Sequence, residues 1–299
     1  LIFTSHIFMK QLNIFIELTR LNKPTGFMLL FWPCSWGLVF AYQHDQDVKK
    51  LFFFLILFFL GSVLMRSAGC IVNDIVDKNI DSKIKRTKHR PLASGKISIK
   101  RSILYMLILC AFSFLILIQF NKLTILLGLT SMILAFSYPF MKRITYWPQL
   151  FLGLTFNWGI IMAWTSMNNT ISTEIILLYL SAIFWTLGYD TIYGAQDIDE
   201  DEIIGVKSTS IKFKNNIKIF VTLCYFTTSI LLLFLFRNQM HLNYFIIPMF
   251  FFILSLFYQI KIFNVKHPLE CLRAFKINNF SGFLLFLSIL GSSNKLNIL

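Results

Sequence analysis

The sequence predicts an all-α membrane protein that crosses the bilayer many times. Of its 299 residues, 56% are hydrophobic and only 14% are charged, whereas about 25% of residues are charged in typical soluble domains. The 34 phenylalanines are too many for one water-soluble core. Since a membrane-spanning helix needs about 20 mostly apolar residues, the chain has room for roughly nine or ten crossings. These figures exclude a soluble two-domain protein.

Nine long runs with few or no charges alternate with short connections that contain most charged residues. Each run is long enough for a helix across a hydrocarbon core about 30 Å thick, so we predict nine transmembrane helices. The runs cover residues 25–43, 51–73, 102–121, 123–141, 144–173, 175–194, 219–236, 242–260 and 277–294.

The first 24 residues differ from these runs because four charged residues lie among the apolar ones. They contain no long apolar stretch followed by a small-residue cleavage site, as a signal peptide would. The pattern is typical of a helix that lies along the membrane surface. We therefore predict an interfacial segment over residues 1–24 and a single transmembrane domain over residues 25–299.

The distribution of Lys and Arg predicts the orientation, because these residues gather in cytoplasmic loops. With a cytoplasmic N-terminus, 22 of the 28 Lys and Arg residues lie inside and five lie outside. Arg66, within the second predicted span, is the remaining one. The net charge of +14 thus reflects membrane topology, and we expect no nucleic-acid partner, since the basic residues lie between apolar runs and form no single water-exposed stripe.

The chain shows no evident transit peptide, which favours a bacterial plasma (inner) membrane over a mitochondrial one. We therefore expect a multi-pass inner-membrane protein whose N-terminus and functional site face the cytoplasm.

Nine of the 14 acidic residues occur in two short stretches, at the cytoplasmic ends of the second and sixth predicted spans. The first stretch contains Asn73, Asp74, Asp77 and Asp81. Residues 73, 77 and 81 are four positions apart, so they share one face if the helix continues. Arg66 lies seven residues earlier on the same face.

The second stretch contains Asp190, Asp197 and Asp201, whose spacing also places them on one helical face. Because four spans separate the two stretches, both lie on the same side of the membrane. Either stretch alone could be a solvated helix end whose acids pair with nearby lysines. The repeated spacing beside an intramembrane Arg66 favours a functional site, since ionisable residues within spans are costly.

The residue types in these stretches favour Mg²⁺. They offer hard oxygen ligands without His or thiolate, and Mg²⁺ usually keeps water ligands and bridges substrate phosphates. Two facing clusters of carboxylates would also repel each other without cations between them. We therefore predict Mg²⁺ between the two stretches and a diphosphate bound to it.

Three basic segments lie beside the acidic stretches and could bind phosphate. Each alone could be an ordinary anchor of the cytoplasmic side. Next to a Mg²⁺ site they become candidate phosphate ligands, and Arg suits bidentate contacts. They are residues 83–96, Tyr138–Arg143 and Gly205–Thr209.

Seven segments along the chain carry motifs in a recognisable order. They are Arg20–Gly26, Met65–Cys70 with the NDxxDxxxD motif that follows, Arg86–Gly95, Tyr138–Arg143, Tyr189–Asp201, Gly205–Thr209 and Asn278–Gly282. Together they resemble the UbiA family of intramembrane aromatic prenyltransferases, and within it the branch that prenylates 4-hydroxybenzoate. The resemblance extends from about residue 18 to residue 291.

The resemblance implies nine transmembrane helices around a central cavity that holds Mg²⁺ and a polyprenyl diphosphate. It implies transfer of the polyprenyl chain to the 4-hydroxybenzoate ring, ortho to the hydroxyl, with release of diphosphate in ubiquinone biosynthesis. The residues that correspond to the family's metal ligands are Asn73, Asp74, Asp77, Asp81, Asp197 and Asp201.

We expect four of these acids, Asp77, Asp81, Asp197 and Asp201, to be catalytic by binding Mg²⁺–diphosphate, and Arg143 to contact the phosphate. At position 78 the family commonly has Arg, and Lys keeps the charge but not the bidentate fork. The predicted substrate-binding residues are Arg66, Asn73, Lys78, Lys142, Tyr189, Asp190, Tyr193 and Lys207.

Two other functions remain open at this stage. One is another UbiA-type reaction with a naphthoate, homogentisate or haem acceptor, because a few pocket contacts decide the acceptor. The other is a secondary transporter of an anion, since intramembrane charges often mark ion paths. Acids at the ends of two parallel spans argue against a transporter, which usually binds its substrate near the midplane.

Overall fold

The structure is a computed structural model that describes residues 2–241 and 243–292. Most of these residues are helical. The α-helices are α1 (Ile2–Thr19), α2 (Thr25–Asp45), α3 (Val48–Asp81), α4 (Ile99–Leu117), α5 (Lys122–Ile144), α6 (Pro148–Asn168), α7 (Thr173–Gly194), α8 (Ile198–Ile204), α9 (Thr209–Lys212), α10 (Ile217–Leu235), α11 (Asn243–Ile262) and α12 (Pro268–Gly291).

Nine helices in the described part of the chain are long and apolar enough to cross a membrane, which confirms the predicted fold. They are α2 to α7 and α10 to α12. The largest difference in a boundary is at α12, which begins at Pro268, nine residues before the predicted run. Its first turns carry Glu270, Arg273 and Lys276. Charges exclude these turns from an apolar run, but they do not prevent a helix outside the hydrocarbon.

The spanning helices pack side by side around a central cavity. Helix α2 contacts α3, α6 and α12, while α7 contacts α6, α10 and α12. Large aromatic side chains fill the core between them, and the rings of Trp36 and Trp185 lie 5.0 Å apart. On the outer faces, apolar side chains such as Phe52, Leu104 and Ile133 are exposed, as lipid contact requires.

Two helices are longer than the bilayer needs. Helix α3 has 34 residues and is about 50 Å long, so its last turns extend beyond a hydrocarbon core of about 30 Å. Helix α7 continues through a single 3₁₀ turn, Ala195–Asp197, into α8. The acidic stretches are the extensions of these two helices, which bring carboxylates out of the lipid.

The predicted interfacial segment forms helix α1 and packs against α3. Ile14 and Leu18 are buried in a small cluster with Ala68, Ile71 and a part of the loop after α3. The segment is helical in the structure, and its position at the membrane surface stays a prediction.

The packing of α2 on α6 depends on Gly37. A Cβ atom at this position would overlap the backbone carbonyl of Ile160. We expect Gly37→Ala to lower the free energy of unfolding by about 1–3 kcal/mol, the usual cost of overpacking. Thermal or urea unfolding in detergent measures this effect. The matched control is Gly61→Ala, because a Cβ there meets nothing within 4 Å, and an equal loss in both variants would contradict the close approach.

Candidate active site

A cavity of about 1400 Å³ is lined by both acidic stretches. Helix α3 contributes one set of side chains and the end of α7 contributes the other, so the structure brings together residues 120 positions apart. The predicted site residues that line it are Arg66, Asn73, Asp77, Asp81, Lys142, Tyr189, Asp190, Tyr193, Asp197, Asp201 and Lys207.

The predicted helical faces account for this arrangement. Along α3, Asn73, Asp77 and Asp81 follow one another at four-residue intervals and all line the cavity. After α7 the 3₁₀ turn interrupts the helix, yet Asp197 and Asp201 still reach the cavity with Asp190.

Basic side chains pair with the carboxylates at one end of the cavity, which we call its charged end. Lys142, at the end of α5, contacts the carboxylate of Asp77. In the loop after α3, Arg90 Nη1 donates to Asp81 Oδ2 at 2.7 Å. These contacts neutralise carboxylates that are almost fully buried, with Asp77 at 0% and Asp81 at 4% exposure.

Arg86 joins the two halves of the site. Its guanidinium contacts the carboxylate of Asp197 and donates from Nη1 to Tyr193 Oη at 2.8 Å. Burial lowers the pKa of Arg86, but the nearby Tyr193 and Asp197 raise it by more, so its pKa lies above the ordinary value. Arg86 was predicted only as part of a basic segment, and its two partners could not be read from spacing.

Asp74 was predicted as a metal ligand, but it is not among the residues that line the cavity. Its side chain is 1% exposed and contacts the guanidinium of Arg20, while Arg90 Nη1 donates to its Oδ1 at 3.2 Å. Arg20 lies in the turn between α1 and α2 and adopts a positive φ of 56°. In this structure Asp74 therefore holds the α1–α2 turn against α3 through an ion pair. Sequence reasoning did not predict this structural role.

Arg143 and Lys78 also lie outside the cavity lining. Arg143 Nη2 donates to the backbone carbonyl of Val76 at 2.7 Å and lies 3.6 Å from Asp77 Oδ1. Its neighbour Lys142 reaches the cavity instead. A phosphate contact by Arg143 therefore stays a prediction.

Arg66 is the cation inside the membrane-spanning part of α3. It makes no hydrogen bond or ion pair with any described residue, and its guanidinium lies 5.2 Å from the ring centroid of Phe156. A Cβ on Gly26 would lie 3.0 Å from its Nε atom, so a glycine leaves room for this side chain. Arg66 lines the cavity together with Asp190, and its charge acts on that carboxyl group without an ion pair between them.

The tyrosines of the second stretch have different surroundings. Tyr189 is 1% exposed and packs edge-on against Trp185, with ring centroids 4.9 Å apart. The ring of Tyr193 lies 4.6 Å from that of Phe275, while the guanidinium of Arg86 lies over it at 5.2 Å. Both rings line the cavity, and both are also held by packing.

The donor set fits Mg²⁺. The described cavity lining contains carboxylates from Asp77, Asp81, Asp197 and Asp201, and Asp77 Oδ1 is buried without a hydrogen-bond partner. Such oxygen ligands suit a hard cation. Within residues 2–241 and 243–292, no three acids, His or Cys stand close enough together to hold an ion as they are. Mg²⁺ usually needs only one or two protein carboxylates besides water and phosphate ligands.

Acidic extensions of two membrane helices thus line one cavity beside basic loops, as the resemblance to intramembrane prenyltransferases predicts. Residues 30–287 match the model of the UbiA prenyltransferase family, and the chain belongs to this family. The resemblance seen in the sequence is thereby confirmed.

Similar proteins agree with this assignment. The 4-hydroxybenzoate octaprenyltransferase of Psychromonas ingrahamii is 43% identical over 91% of this chain and 93% of its own length. Among solved structures, a UbiA homologue from Aeropyrum pernix superimposes with a TM-score of 0.73 at 20% identity, over 91% of this chain and 98% of its own. A UbiA homologue from Archaeoglobus fulgidus bound to GPP and Mg²⁺ superimposes with a TM-score of 0.66 at 16% identity, over 93% of this chain and 99% of its own.

The buried pair of Arg20 and Asp74 gives a test of the site's framework. We expect Arg20→Gln to lower the free energy of unfolding by about 3 kcal/mol, at the low end of the cost of breaking a buried pair, because Arg90 still contacts Asp74. Urea unfolding in detergent measures it. Lys96→Gln is the control, since the Lys96–Glu17 pair is about half exposed and such pairs contribute about 1 kcal/mol or less. Similar losses in both variants would refute the assigned role of Asp74.

Proposed function

We propose that this protein transfers a polyprenyl chain from a polyprenyl diphosphate to 4-hydroxybenzoate, ortho to the hydroxyl, and releases diphosphate in ubiquinone biosynthesis. The observation that carries the proposal is the single cavity that joins both acidic stretches, the basic loops and an apolar interior. The identity of 43% with a 4-hydroxybenzoate octaprenyltransferase supports this acceptor over the other acceptors of the family.

Four carboxylates, of Asp77, Asp81, Asp197 and Asp201, would hold the metal, which we infer to be Mg²⁺ from their oxygen ligands. A related structure contains Mg²⁺ with GPP, which supports the choice of ion. When bound, Mg²⁺ supplies positive charge that stabilises a leaving diphosphate.

The chain's own basic residues take part in the same step. Lys142 and Arg86 contact the carboxylates that would hold the metal, and Lys207 lines the cavity nearby, with its Nζ donating to the carbonyl of Ile144 at 3.2 Å. As the allylic C–O bond breaks, its electron pair moves to the diphosphate. Preorganised cations near that oxygen stabilise the developing negative charge.

Arg66 is the residue that we assign to the carboxylate of 4-hydroxybenzoate. It lines the cavity, its charge acts on Asp190, and it forms no ion pair with any described residue. A guanidinium binds a carboxylate through two parallel hydrogen bonds. The acceptor would then lie deeper in the membrane than the diphosphate. Its ring carbon ortho to the hydroxyl would face the C–O bond that breaks.

The ring carbon ortho to the hydroxyl forms the new C–C bond and then loses its proton. We assign the proton to Asp190, which lines the cavity near enough to Arg66 for their charges to interact. The surrounding apolar side chains exclude water, which would otherwise capture the allylic cation.

The nine apolar helices make this a multi-pass membrane protein. We infer a bacterial inner membrane with the N-terminus and the acidic stretches on the cytoplasmic side, from the excess of Lys and Arg there. Side chains of the segments predicted to be cytoplasmic contact one another, Arg20 with Asp74, Arg86 with Asp197 and Lys142 with Asp77, which supports their position on one side.

Asp77→Asn and Asp197→Asn should each reduce Mg²⁺-dependent prenylation of 4-hydroxybenzoate at least about 100-fold, a typical loss when one group that stabilises a transition state is removed. The measurement is product formation in purified membranes with matched amounts of folded protein. Asp199→Asn is the control, because the Asp199 side chain is 91% exposed and its ion-pair partner among the described residues is Lys214. Normal turnover in either of the first two variants would rule out the assigned metal site.

Arg66→Gln should raise the KM for 4-hydroxybenzoate at least about tenfold, because a charge-assisted pair is lost, and leave the KM for the diphosphate unchanged. The variant should also stop distinguishing 4-hydroxybenzoate from uncharged 4-hydroxybenzamide. Steady-state kinetics with both acceptors measure this. If the preference for the acid persists in the variant, Arg66 does not bind the carboxylate.

A further inference from the structure

The second acidic stretch lies on a segment that leaves the end of α7 and returns to it. Residues 195–208 run through the 3₁₀ turn, α8 and a turn at Gly205, after which α9 packs against α7. Helix α8 has seven residues and α9 has four, and isolated helices this short are not stable in water. The positions of Asp197 and Asp201 therefore depend on how the base of this segment is held.

Two hydroxyl groups of α9 hold that base against α7. The hydroxyl oxygens of Thr191 and Thr209 lie 2.7 Å apart, and Ser210 Oγ donates to the backbone carbonyl of Thr191 at 2.8 Å. All three residues are buried. Because the Thr191 hydroxyl already donates to the carbonyl of Leu187 at 2.6 Å, the Thr209 hydroxyl is the donor in the pair. Two side-chain hydrogen bonds thus join α9 to one residue of α7.

Helices α6 and α5 hold the same segment. The backbone N–H of Thr209 is in the first turn of α9, where it has no partner within the helix, and it donates to Gln149 Oε1 at 2.9 Å. The backbone N–H of Lys207 donates to the carbonyl of Lys142 at 2.8 Å, and the Lys142 side chain contacts Asp77. The segment that carries the second acidic stretch is thus hydrogen-bonded to a residue that contacts the first.

A glycine at the end of α7 permits this close packing. A Cβ atom on Gly194 would lie 2.6 Å from Ser210 Oγ and 3.3 Å from Gln149 Nε2. Both neighbours are already held by the hydrogen bonds described above, so a larger residue would displace the side chains that fix the segment. Gly194 therefore belongs to the same arrangement.

The hydroxyl groups of Thr191, Thr209 and Ser210 lie behind the site, because none of these three residues lines the cavity. Apolar packing of Ala195 and Ile198, which are both buried, also stabilises the segment. Such packing is not directional, whereas hydrogen bonds have a preferred geometry. The hydrogen bonds are therefore the contacts that can set the direction in which the segment leaves α7.

We propose that Gln149, Thr191, Thr209 and Ser210, which we call the loop anchor, position Asp197 and Asp201 for metal binding and so set the separation of the two acidic stretches. The inference rests on the metal site of the proposed function. Hydrogen bonds behind metal ligands orient those ligands, and their loss typically lowers metal affinity or activity by about 10- to 100-fold. Thr191, Thr209 and Ser210 are thus positioning residues.

The test compares Thr209→Val, which removes the hydroxyl at a similar side-chain volume, with Thr209→Ser, which keeps it. Mn²⁺, whose free form is measured by EPR, replaces Mg²⁺ and is titrated into purified protein with geranyl thiodiphosphate, a non-hydrolysable analogue, against a protein-free background. Thr209→Val should raise the apparent dissociation constant for Mn²⁺ at least about tenfold, and Thr209→Ser should bind Mn²⁺ as the unmodified protein does. Ser210→Ala carries the same expectation as Thr209→Val and replaces it if that variant does not fold.

Thr124→Val is the matched control. The hydroxyl oxygens of Thr124 and Thr165 lie 2.9 Å apart in another buried pair, between the start of α5 and the end of α6, and neither residue lines the cavity. This variant loses the same kind of hydrogen bond, so its thermal midpoint should fall while its affinity for Mn²⁺ stays unchanged. Unchanged Mn²⁺ affinity in Thr209→Val or in Ser210→Ala, or an equal loss of affinity in Thr124→Val, would overturn the proposal.

The same titration of Asp197→Asn separates this proposal from the proposed function. If Asp197→Asn binds Mn²⁺ as tightly as the unmodified protein, the metal site itself is wrong, and the anchor has no metal ligand to position. If Asp197→Asn loses affinity while Thr209→Val keeps it, the metal site stands and only the role of the loop anchor fails.

Discussion

The negative charge of the buried carboxylates must be balanced by basic side chains, and the rest of this structure depends on that constraint. Asp74, Asp77 and Asp81 are each at most 4% exposed, and a buried charge without a partner is very costly. Each therefore contacts a basic side chain from another segment. Because those partners come from the α1–α2 turn, the loop after α3 and the end of α5, satisfying the charges also determines how these segments pack.

The same constraint explains the unequal lengths of the helices. Carboxylates at the centre of the bilayer would be prohibitively costly, so they lie on the extensions of α3 and α7–α8 beyond a length that spans the hydrocarbon. The apolar part of each helix then lines the rest of the cavity. The cavity is therefore charged at one end of these helices and mostly apolar along them.

The fold and the acidic faces could be predicted because each depends on local periodicity. Runs of apolar residues gave nine spans, and spacings of four and seven residues identified Asn73, Asp77, Asp81, Asp197 and Asp201 as side chains on common faces. The 3₁₀ turn after Gly194 did not invalidate the predicted common face, since the acids on either side of the turn still line the cavity.

The partners of these acids could not be predicted in the same way. Arg20 and Asp74 are 54 residues apart and Arg86 and Asp197 are 111 apart, and nothing local indicates that they meet. Spacing also could not separate Lys142 from Arg143, because adjacent residues on a helix point in different directions and only packing decides which one enters the cavity. The family motifs identify the segments that form the site. The fold then determines which of their side chains line the cavity and which only pack or pair behind that lining.

Arg66 marks the boundary between the two environments. The ion pairs of the site lie at its charged end, among the α1–α2 turn, the loop after α3 and the end of α5. Arg66 is half-buried further along the cavity, with the ring of Phe156 5.2 Å from its guanidinium and Gly26 close to its Nε atom. Its charge also acts on Asp190, although the two side chains form no ion pair. A cation–π contact contributes about 2 kcal/mol when desolvated and less when exposed, so an anion bound at Arg66 depends on its own hydrogen bonds to the guanidinium and competes with Asp190 for that charge.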